Sequence, residues 1–292
     1  MFEHYARVFM DIKRTEVKPS TLSKYQNIID TKLMPVFRGR DIATIKPSDC
    51  RVWFAGFSDK SPKTLRDYAS VLSGIFNEAR YDEAIEKNPA DLLRVPKLQK
   101  RSVKPFSQDE VQIILNAVPD GNFKYYLYIA FLTGMRSGEI VALKKQDIDF
   151  EKRMISVSRS RGRFGESSPK TQNGIRLVPI LDDLLPHLQA LYELHDHEYL
   201  FINKFKEPYK HNETFYQKHW VPLLKKLDIP YRRLYNTRHT FATMMLANGF
   251  TKPHKLAEIL GHGDSQMVYQ VYAKFIDDKK FDFDMDIELY KV

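Results

Sequence analysis

The strongest constraint on the fold of this chain is a basic stretch that is interrupted by prolines. The sequence NPADLLRVPKLQKRSVKPF (residues 88–106) holds three prolines and a cluster of lysine and arginine, and no apolar period can be followed through it. Proline removes a backbone donor and restricts the residue before it, so a regular helix or a central strand does not cross such a stretch. The sequence therefore predicts two folding units joined by a basic linker over residues 95–104. Both a solvated connector and a segment lying along a polyanion are consistent with its charge.

The first unit, residues 1–94, has a helical pattern. Apolar residues recur at spacings of three and four in YQNIIDTKLMPVF and TLRDYASVLSGIFNEAR. Three segments, KPSTLSKY, KPSDCRVW and SPKTLRDY, place serine or threonine and a proline ahead of an apolar run, which is typical of helix starts. We predict three or four short helices and no strands here.

The second unit, residues 105–276, mixes helices with a few strands. Ser107 and Glu110 form a capping-box pattern, and FKYYLYIAFLTG is apolar on nearly all sides, which predicts a buried helix ended by Gly134. From residue 154 the period changes to two, so MISVSRS and IRLVPI are predicted strands joined by turns, before helices return. The predicted fold class is mainly α with a small antiparallel β-sheet: an all-helical domain followed by a mixed α+β domain.

Charge favours an anionic partner for both units. The 292 residues include 46 Lys and Arg against 37 Asp and Glu, a net charge of +9. Residues 1–104 carry +7, residues 105–276 carry +5, and the tail 277–292 carries −3. Cys50 is the only cysteine, which excludes an internal disulfide and indicates a reducing compartment. No apolar run approaches the ~18 residues that span a bilayer. We expect a cytoplasmic protein with no membrane association.

Several polar residues lie beside predicted buried segments. Taken singly, each has an ordinary structural explanation, such as a surface ion pair, a solvated lysine or a packed ring. Together they form a donor-rich set without the carboxylate cluster that holds Mg²⁺, an ATP-binding glycine loop or a zinc-binding histidine pair. Such a set suits a phosphodiester substrate, because guanidinium groups pair with phosphate oxygens and a side-chain nucleophile can perform the cleavage. The candidates are Arg136, Glu139, Lys170, Arg238, His239, His262, Tyr269 and Tyr272.

Five segments, in order, carry a family resemblance: TGMRSGEIVAL, SPKTQNGIRLVPI, YNTRHTFATMMLANG, LGH and QMVYQVYAKF. They resemble the catalytic domain of the tyrosine recombinase (phage integrase) family, of the type found in phages and mobile elements, over residues 105 to 276. The helical first block, residues 1–94, resembles the core-binding domain of that family. The resemblance implies a site-specific recombinase that cuts and rejoins duplex DNA through a 3′-phosphotyrosine. It implies no metal, no ATP and no other cofactor.

The resemblance also implies roles for individual residues. Arg136 and Arg238 match the two arginines that clamp the scissile phosphate, and His262 matches the histidine that contacts it. Lys170 matches the hairpin lysine that protonates the departing 5′-oxygen. Glu139 matches the acidic position that orients Arg136.

One position departs from the family pattern. The family usually has His-x-x-Arg before the second arginine, whereas here Tyr235 occupies the position of that histidine. A phenol can donate a hydrogen bond to a phosphate oxygen but does not shuttle protons near neutrality as imidazole does. His239 follows Arg238 directly, and consecutive helical residues point about 100° apart. We therefore expect His239 to support the site without replacing the missing histidine.

Two tyrosines near the end of the second unit compete as nucleophile. Tyr269 and Tyr272 are three residues apart and share a helix face, so the helical pattern alone leaves both open. In the family the nucleophile follows the Gly-His by nine or ten residues. This spacing selects Tyr272, ten residues after His262, and leaves Tyr269 as a packing ring.

The resemblance implies duplex DNA and further copies of the chain as partners, with a tetramer assembled on two duplexes and accessory DNA-bending proteins as possible helpers. The acidic-aromatic tail, residues 277–292, could dock on a neighbouring protomer or pack on its own domain. The resemblance leaves open whether the protein uses simple sites or has a further N-terminal arm-binding domain.

Two other functions compete with the recombinase prediction. The first is a catalytically impaired DNA-binding protein of the same fold, marked by Tyr235. The second is a type IB topoisomerase-like relaxing enzyme. A protein that had lost the chemistry would not need all five donors. The sequence has all five, which favours an active enzyme: Arg136, Lys170, Arg238, His262 and Tyr272.

Overall fold

The computed structural model describes residues 1–97, 103–168, 174–211 and 213–272. The chain divides into two compact units, Met1–Arg101 and Ser102–Val292. In its described residues the first unit contains helices and no strands, and the second unit combines helices with short antiparallel strands, which confirms the predicted fold class. Lys170, linker residues 98–102 and the tail from residue 273 lie outside the described residues.

The first unit is built from helical runs that are longer than the sequence suggested. Its longest helix has 20 residues, because its apolar stripe continues without a break. A π-helical segment, Ile29–Leu33, joins the second and third helices into one continuous run. The helices are α1 (Phe2–Glu16), α2 (Pro19–Ile28), α3 (Met34–Phe37), α4 (Pro47–Ala55) and α5 (Pro62–Tyr81).

The predicted helix starts differ in detail from the observed ones. In two of the three segments a lysine precedes the helix and proline takes the first helical position, as in Lys18–Pro19 and Lys46–Pro47. Proline is favoured there because its missing N–H would have no helical partner. Of the three residues that directly precede these helices, only Ser61 caps with its side chain, which accepts a hydrogen bond from the backbone N–H three residues later.

The core of the first unit is rich in aromatic rings. α1 packs along α5, and the ring of Phe2 lies 5.2 Å from that of Phe37 and 5.9 Å from that of Phe76. Trp53 of α4 packs beside Phe37, and its indole N–H donates to the carbonyl of Lys32 at 2.9 Å. This hydrogen bond lets a large apolar ring be buried without leaving its polar atom unpaired.

The second unit has nine α-helices and five strands in its described residues. The helices are α6 (Gln108–Ala117), α7 (Asn122–Thr133), α8 (Ser137–Ile140), α9 (Leu185–Glu193), α10 (Glu213–Phe215), α11 (Val221–Lys226), α12 (Asn236–Ala247), α13 (Pro253–Leu260) and α14 (Gln266–Tyr272). The strands are β1 (Ile148–Asp149), β2 (Met154–Val157), β3 (Ser160–Gly162), β4 (Gly165–Ser167) and β5 (Arg176–Pro179). The Ser107–Glu110 capping box is formed as predicted.

The strands form two small antiparallel sheets. β2 lies between β1 and β5, and its buried Ile155 pairs with the buried Val178. β3, which begins at the last residue of the predicted strand MISVSRS, and β4 form a separate hairpin where turns were predicted. Buried helix α7 belongs to the main hydrophobic cluster, while α12, α13 and α14 share a second one.

Helix α7 ends at Gly134 in the left-handed conformation, with φ of 63°. We expect Gly134→Ala to lower the free energy of unfolding by roughly 2–4 kcal/mol, since it adds backbone strain and overpacks the core. A Cβ here would lie 2.5 Å from the ring of Phe241 and 2.9 Å from Leu260. Denaturant unfolding measures the loss.

Gly249 provides the matched control for this substitution. It has φ of 68°, but no atom lies within 4 Å of where its Cβ would be. Gly249→Ala should therefore lose only the conformational part, about 1–2 kcal/mol. Equal losses in the two variants would show that packing against Phe241 and Leu260 contributes nothing.

No helix in the four described ranges combines the length and apolar character needed to cross a membrane.

Candidate active site

The turn that follows α7 places Arg136 directly before the short helix α8. The backbone N–H of Arg136 donates to the Glu139 carboxylate at 2.8 Å, and its guanidinium donates to the same carboxylate at 2.8 Å. The guanidinium also reaches the carbonyl of Gly261, 3.3 Å away, in the turn after α13. Glu139 therefore both caps α8 and holds the Arg136 side chain in place.

Glu139 has a second partner, Arg176 of β5, which the sequence reasoning missed. The guanidinium of Arg176 donates two hydrogen bonds to the carboxylate, at 2.8 and 3.1 Å, and both side chains are nearly fully buried. Burial acts to raise the pKa of Glu139, but Arg176 and then Arg136 outweigh it and hold the pKa below its ordinary value. Glu139 is therefore a carboxylate shared between two arginines.

Arg176 also ties the sheet to α13. Its Nε donates to the carbonyl of Ile259 at 2.6 Å. The signal that could have found it is strand alternation: Arg176 lies on the same side of β5 as the buried Val178, while Leu177 between them is exposed. An arginine on the inward face of a strand requires a buried anionic or carbonyl partner.

Arg238 of α12 lies at the centre of the site and is 1% exposed. Its guanidinium donates to the carbonyl of Gly134 at 2.8 Å and to that of Leu260 at 2.6 Å, and it contacts Nε2 of His262 at 2.9 Å. Burial, and then the charge of Arg136, lowers the pKa of Arg238 to about 10, so it stays charged at neutral pH. Within the described ranges no carboxylate forms an ion pair with it.

His262 follows Gly261, which ends α13 in the left-handed conformation with φ of 67°. Burial, and then the charge of Arg238, lowers the pKa of His262 to about 4, so the ring is neutral at pH 7. A guanidinium has only donors, so Nε2 of His262 accepts and the ring hydrogen resides on Nδ1. Nδ1 is buried and has no hydrogen-bond partner in the part of the chain that the structure describes.

Tyr272 lies at the end of α14, is 2% exposed and packs in the second hydrophobic cluster. Its hydroxyl lies 2.7 Å from Nδ1 of His239. Burial raises the pKa of Tyr272, and burial followed by Arg238 lowers the pKa of His239, so both groups are neutral.

His239 was expected to support the site without replacing the missing histidine. Helix α14 packs beside α12 on the His239 side, so Arg238 and His239 face different parts of one site. The structure corrects one expectation about these residues. Tyr269 was expected to be a packing ring, yet it is 49% exposed.

Tyr235 stands immediately before α12 and is 44% exposed. Its ring meets the ring of His239 edge-on, with 5.1 Å between centroids. The structure therefore brings together Arg136, Glu139, Arg238, His239, His262 and Tyr272, and places Tyr235 at their border. Lys170 lies outside the described residues.

The arrangement favours an anion. Three guanidinium groups, those of Arg136, Arg176 and Arg238, lie in this site, and in the described part of the chain the only carboxylate paired with any of them is Glu139, which binds Arg136 and Arg176. Among the described residues no group of three or more His, Cys, Asp or Glu side chains could hold a metal ion. A buried phenol, a neutral imidazole and fixed cationic donors can together perform nucleophilic attack on a phosphate and stabilise the charge that develops there.

Arg176→Met tests whether this arginine keeps Glu139 ionised. For the strand cleavage that the family resemblance implies, we expect a slower rate, because the Glu139 carboxylate that positions Arg136 is no longer held by Arg176. We also expect the loss of activity on acidification to begin at a higher pH than in wild type. The direction of this change follows from the ionisation of Glu139. The carboxylate supports activity above its pKa, and this support is lost as the pH falls through that pKa. Without Arg176, burial raises that pKa. Cleavage rates across pH measure the shift.

Two variants serve as controls for this prediction. Arg176→Lys keeps the positive charge and should retain more of the acid tolerance. Glu139→Gln combined with Arg176→Met removes the titrating group, so the shifted loss of activity at low pH should disappear. The prediction would be contradicted if Arg176→Met lost activity at the same low pH as wild type.

Sequence comparison gives the family. Residues 104–278 match the phage integrase family, and residues 1–57 match the phage integrase N-terminal SAM-like domain. A tyrosine recombinase XerC-like protein of Caldanaerobacter subterraneus subsp. tengcongensis is 27% identical, over 92% of this chain and 78% of that protein. The ICEBs1 integrase of Bacillus subtilis (strain 168) is 28% identical, over 90% of this chain and 76% of that protein.

Solved structures show the same fold. The Tn1549 transposon integrase, in complex with a circular intermediate DNA, superposes with a TM-score of 0.75 at 23% identity, covering 92% of this chain and 94% of that one. A lambda integrase tetramer bound to a Holliday junction gives 0.73 at 18% identity, covering 90% and 77%. The family match alone spans more than half of the sequence and includes every described residue of the arginine, histidine and tyrosine cluster. The chain belongs to the phage integrase family of tyrosine recombinases.

Proposed function

We propose that the chain is a site-specific recombinase of a mobile element, with Tyr272 as the nucleophile. Its hydroxyl attacks a backbone phosphate of duplex DNA and leaves a 3′-phosphotyrosine and a free 5′-hydroxyl. The observation that supports this most directly is Arg238, a buried and charged arginine that has no ion-pair partner among the described residues. The next residue in the chain, His239, contacts the Tyr272 hydroxyl.

The electrostatics of the site suit the transition state. A pentacoordinate phosphorane carries extra negative charge on its equatorial oxygens. Arg136 and Arg238 are fixed in position before the substrate arrives, and His262 offers an N–H that has no partner among the described residues. Donors fixed in a buried site stabilise such charge better than water, because they do not have to reorganise.

The remaining roles are part of the same proposal. Glu139 orients Arg136, and Lys170 protonates the departing 5′-oxygen, a role that rests on the family resemblance. Tyr235 is half-exposed beside the site and can donate a hydrogen bond to a phosphate oxygen.

DNA and further copies of the chain are the proposed partners. The Tn1549 integrase is bound to a circular intermediate DNA, and lambda integrase forms a tetramer on a Holliday junction. We propose residues 1–94 as the core-binding domain, 95–104 as the linker, 105–276 as the catalytic domain and 277–292 as a docking tail. The charges of +7 and +5 on the two positive blocks predict affinity that falls steeply with salt. Accessory DNA-bending proteins belong to the same proposal.

Trapping of the covalent intermediate tests the reaction. A duplex that carries the end-to-end junction of the mobile element, nicked so that cleavage releases a short strand, is incubated with the protein in the presence of a metal chelator. We expect DNA-linked protein on a denaturing gel, with the nucleotide on the peptide that contains Tyr272. Tight, salt-sensitive binding without an adduct would instead support a catalytically impaired DNA-binding protein.

A second assay separates recombination from relaxation. Two duplexes that carry the junction should exchange strands, whereas a supercoiled plasmid without the site should remain supercoiled. Relaxation without any need for a second site would support a topoisomerase-like enzyme.

A further inference from the structure

The site raises the question of where the proton of Tyr272 goes during attack. The phenol must lose its proton as its oxygen bonds to phosphorus, and burial makes that loss harder in the free protein. Tyr235 occupies the position where the family usually has a histidine, and a phenol is a poor proton acceptor near neutrality. A different group must therefore accept the proton.

His239 is in position to do so. Its Nδ1 lies 2.7 Å from the Tyr272 hydroxyl, within the range required for direct proton transfer. The ring is neutral, since burial and then the nearby Arg238 lower its pKa. A neutral imidazole has one bare nitrogen, and a phenol O–H can donate to it.

The surroundings of His239 fit a transient proton acceptor. Arg238 on the same helix disfavours a permanent imidazolium, and the guanidinium of Arg238 contacts the neutral His262. The ring of Tyr235, which meets the imidazole edge-on, and the tilted ring of Tyr272 complete its described aromatic surroundings. Negative charge that develops on the phosphate would offset the charge of a protonated His239 at the moment when it forms.

We propose that His239 is the catalytic base of strand cleavage. Nδ1 takes the proton of Tyr272 while the Tyr272 oxygen forms its bond to phosphorus. The bond from phosphorus to the 5′-oxygen breaks, and the electron pair leaves with that oxygen, which takes a proton from an acid on the leaving-group side. In rejoining, the 5′-hydroxyl returns its proton to the conjugate base of that acid as its oxygen bonds to phosphorus. The bond from phosphorus to the Tyr272 oxygen breaks, and the imidazolium returns its proton to that oxygen. This assignment rests on the proposed function, in which Tyr272 is the nucleophile.

His239→Asn is the most informative variant. An asparagine places a polar atom near the position of Nδ1 and can hold a hydrogen bond, but it cannot take up a proton. We expect single-turnover adduct formation to slow by about 10²–10⁴-fold, the usual contribution of a general base. DNA affinity should be unchanged. The residual rate should rise with pH, since hydroxide must then remove the proton.

A modified substrate separates the base from the acid. A duplex with sulfur in place of the bridging 5′-oxygen releases a thiolate, which needs no proton. It should restore the rate of Lys170→Ala and leave His239→Asn slow. Restoration of His239→Asn by the same substrate would overturn the assignment, because it would place His239 on the leaving-group side.

A role limited to holding Tyr272 in place gives a different result. His239→Asn would then cleave as fast as wild type, or faster because the tyrosine is released, and either result overturns the proposal. His239→Gln provides a second variant, and DNA affinity with thermal unfolding shows whether each one is folded. If wild-type protein forms no adduct, the proposed function fails, and this assignment fails with it.

Discussion

Tyr272→Phe is expected to form no covalent DNA adduct while binding its DNA site with unchanged affinity. The substitution removes one oxygen, and the ring keeps its place in the cluster formed by α12, α13 and α14. The hydrogen bond to His239 is lost, so the free energy of unfolding should fall by about 1–3 kcal/mol, the usual effect of leaving a buried polar group unpaired. Adduct trapping and equilibrium binding measure the two expectations separately.

Tyr269→Phe is the matched control. Tyr269 lies one helical turn earlier on α14 and is half-exposed. It should form adducts at a rate close to that of wild type. Adducts that persist in Tyr272→Phe and vanish in Tyr269→Phe would reassign the nucleophile and also exclude His239 as its base.

The second large effect is expected for Arg238→Lys. We expect cleavage at saturating DNA to fall by at least about 10²–10³-fold, as when one donor to a developing oxyanion is removed. Lysine keeps the charge but lacks the planar fork that spans the carbonyls of Gly134 and Leu260 and the ring of His262. Single-turnover rates with denaturant unfolding distinguish a catalytic loss from a folding loss.

Arg233→Lys makes the same chemical change at an exposed arginine five positions earlier and should leave both rate and stability near wild type. Equal rates for Arg238→Lys and wild type would show that charge alone, without the fork, is sufficient at this position.

The sequence predicted those elements whose signals are local. The Ser107–Glu110 cap, the buried helix α7 with its terminal Gly134, and the alternation in β2 and β5 each depend on neighbouring residues, and the structure has all of them. The short β3–β4 hairpin was missed because three-residue strands that are half-buried or exposed carry no clear alternation.

The contacts that define the site are long-range, and for that reason they were harder to predict. Arg176 meets Glu139 across 37 positions of sequence, and His239 meets Tyr272 across 33. Family spacing could point to Tyr272, but only the packing of α14 beside α12 shows that His239, and not Tyr235, lies against its hydroxyl. The helical position of His239 gives the direction of its side chain, but it does not show that α14 places Tyr272 against that side chain.

Arg238 joins the carboxyl-terminal ends of α7 and α13 through the carbonyls of Gly134 and Leu260. The guanidinium proposed to bind phosphate is therefore also a structural crosslink within the second unit. A descendant that no longer recombined DNA would still be selected to keep this arginine, simply to remain folded. The presence of Arg238 in a related protein is therefore weak evidence of recombinase activity. Among the described residues the hydroxyl of Tyr272 makes one hydrogen bond, to His239, whereas Arg238 makes three contacts, so the hydroxyl is the better marker of a working recombinase.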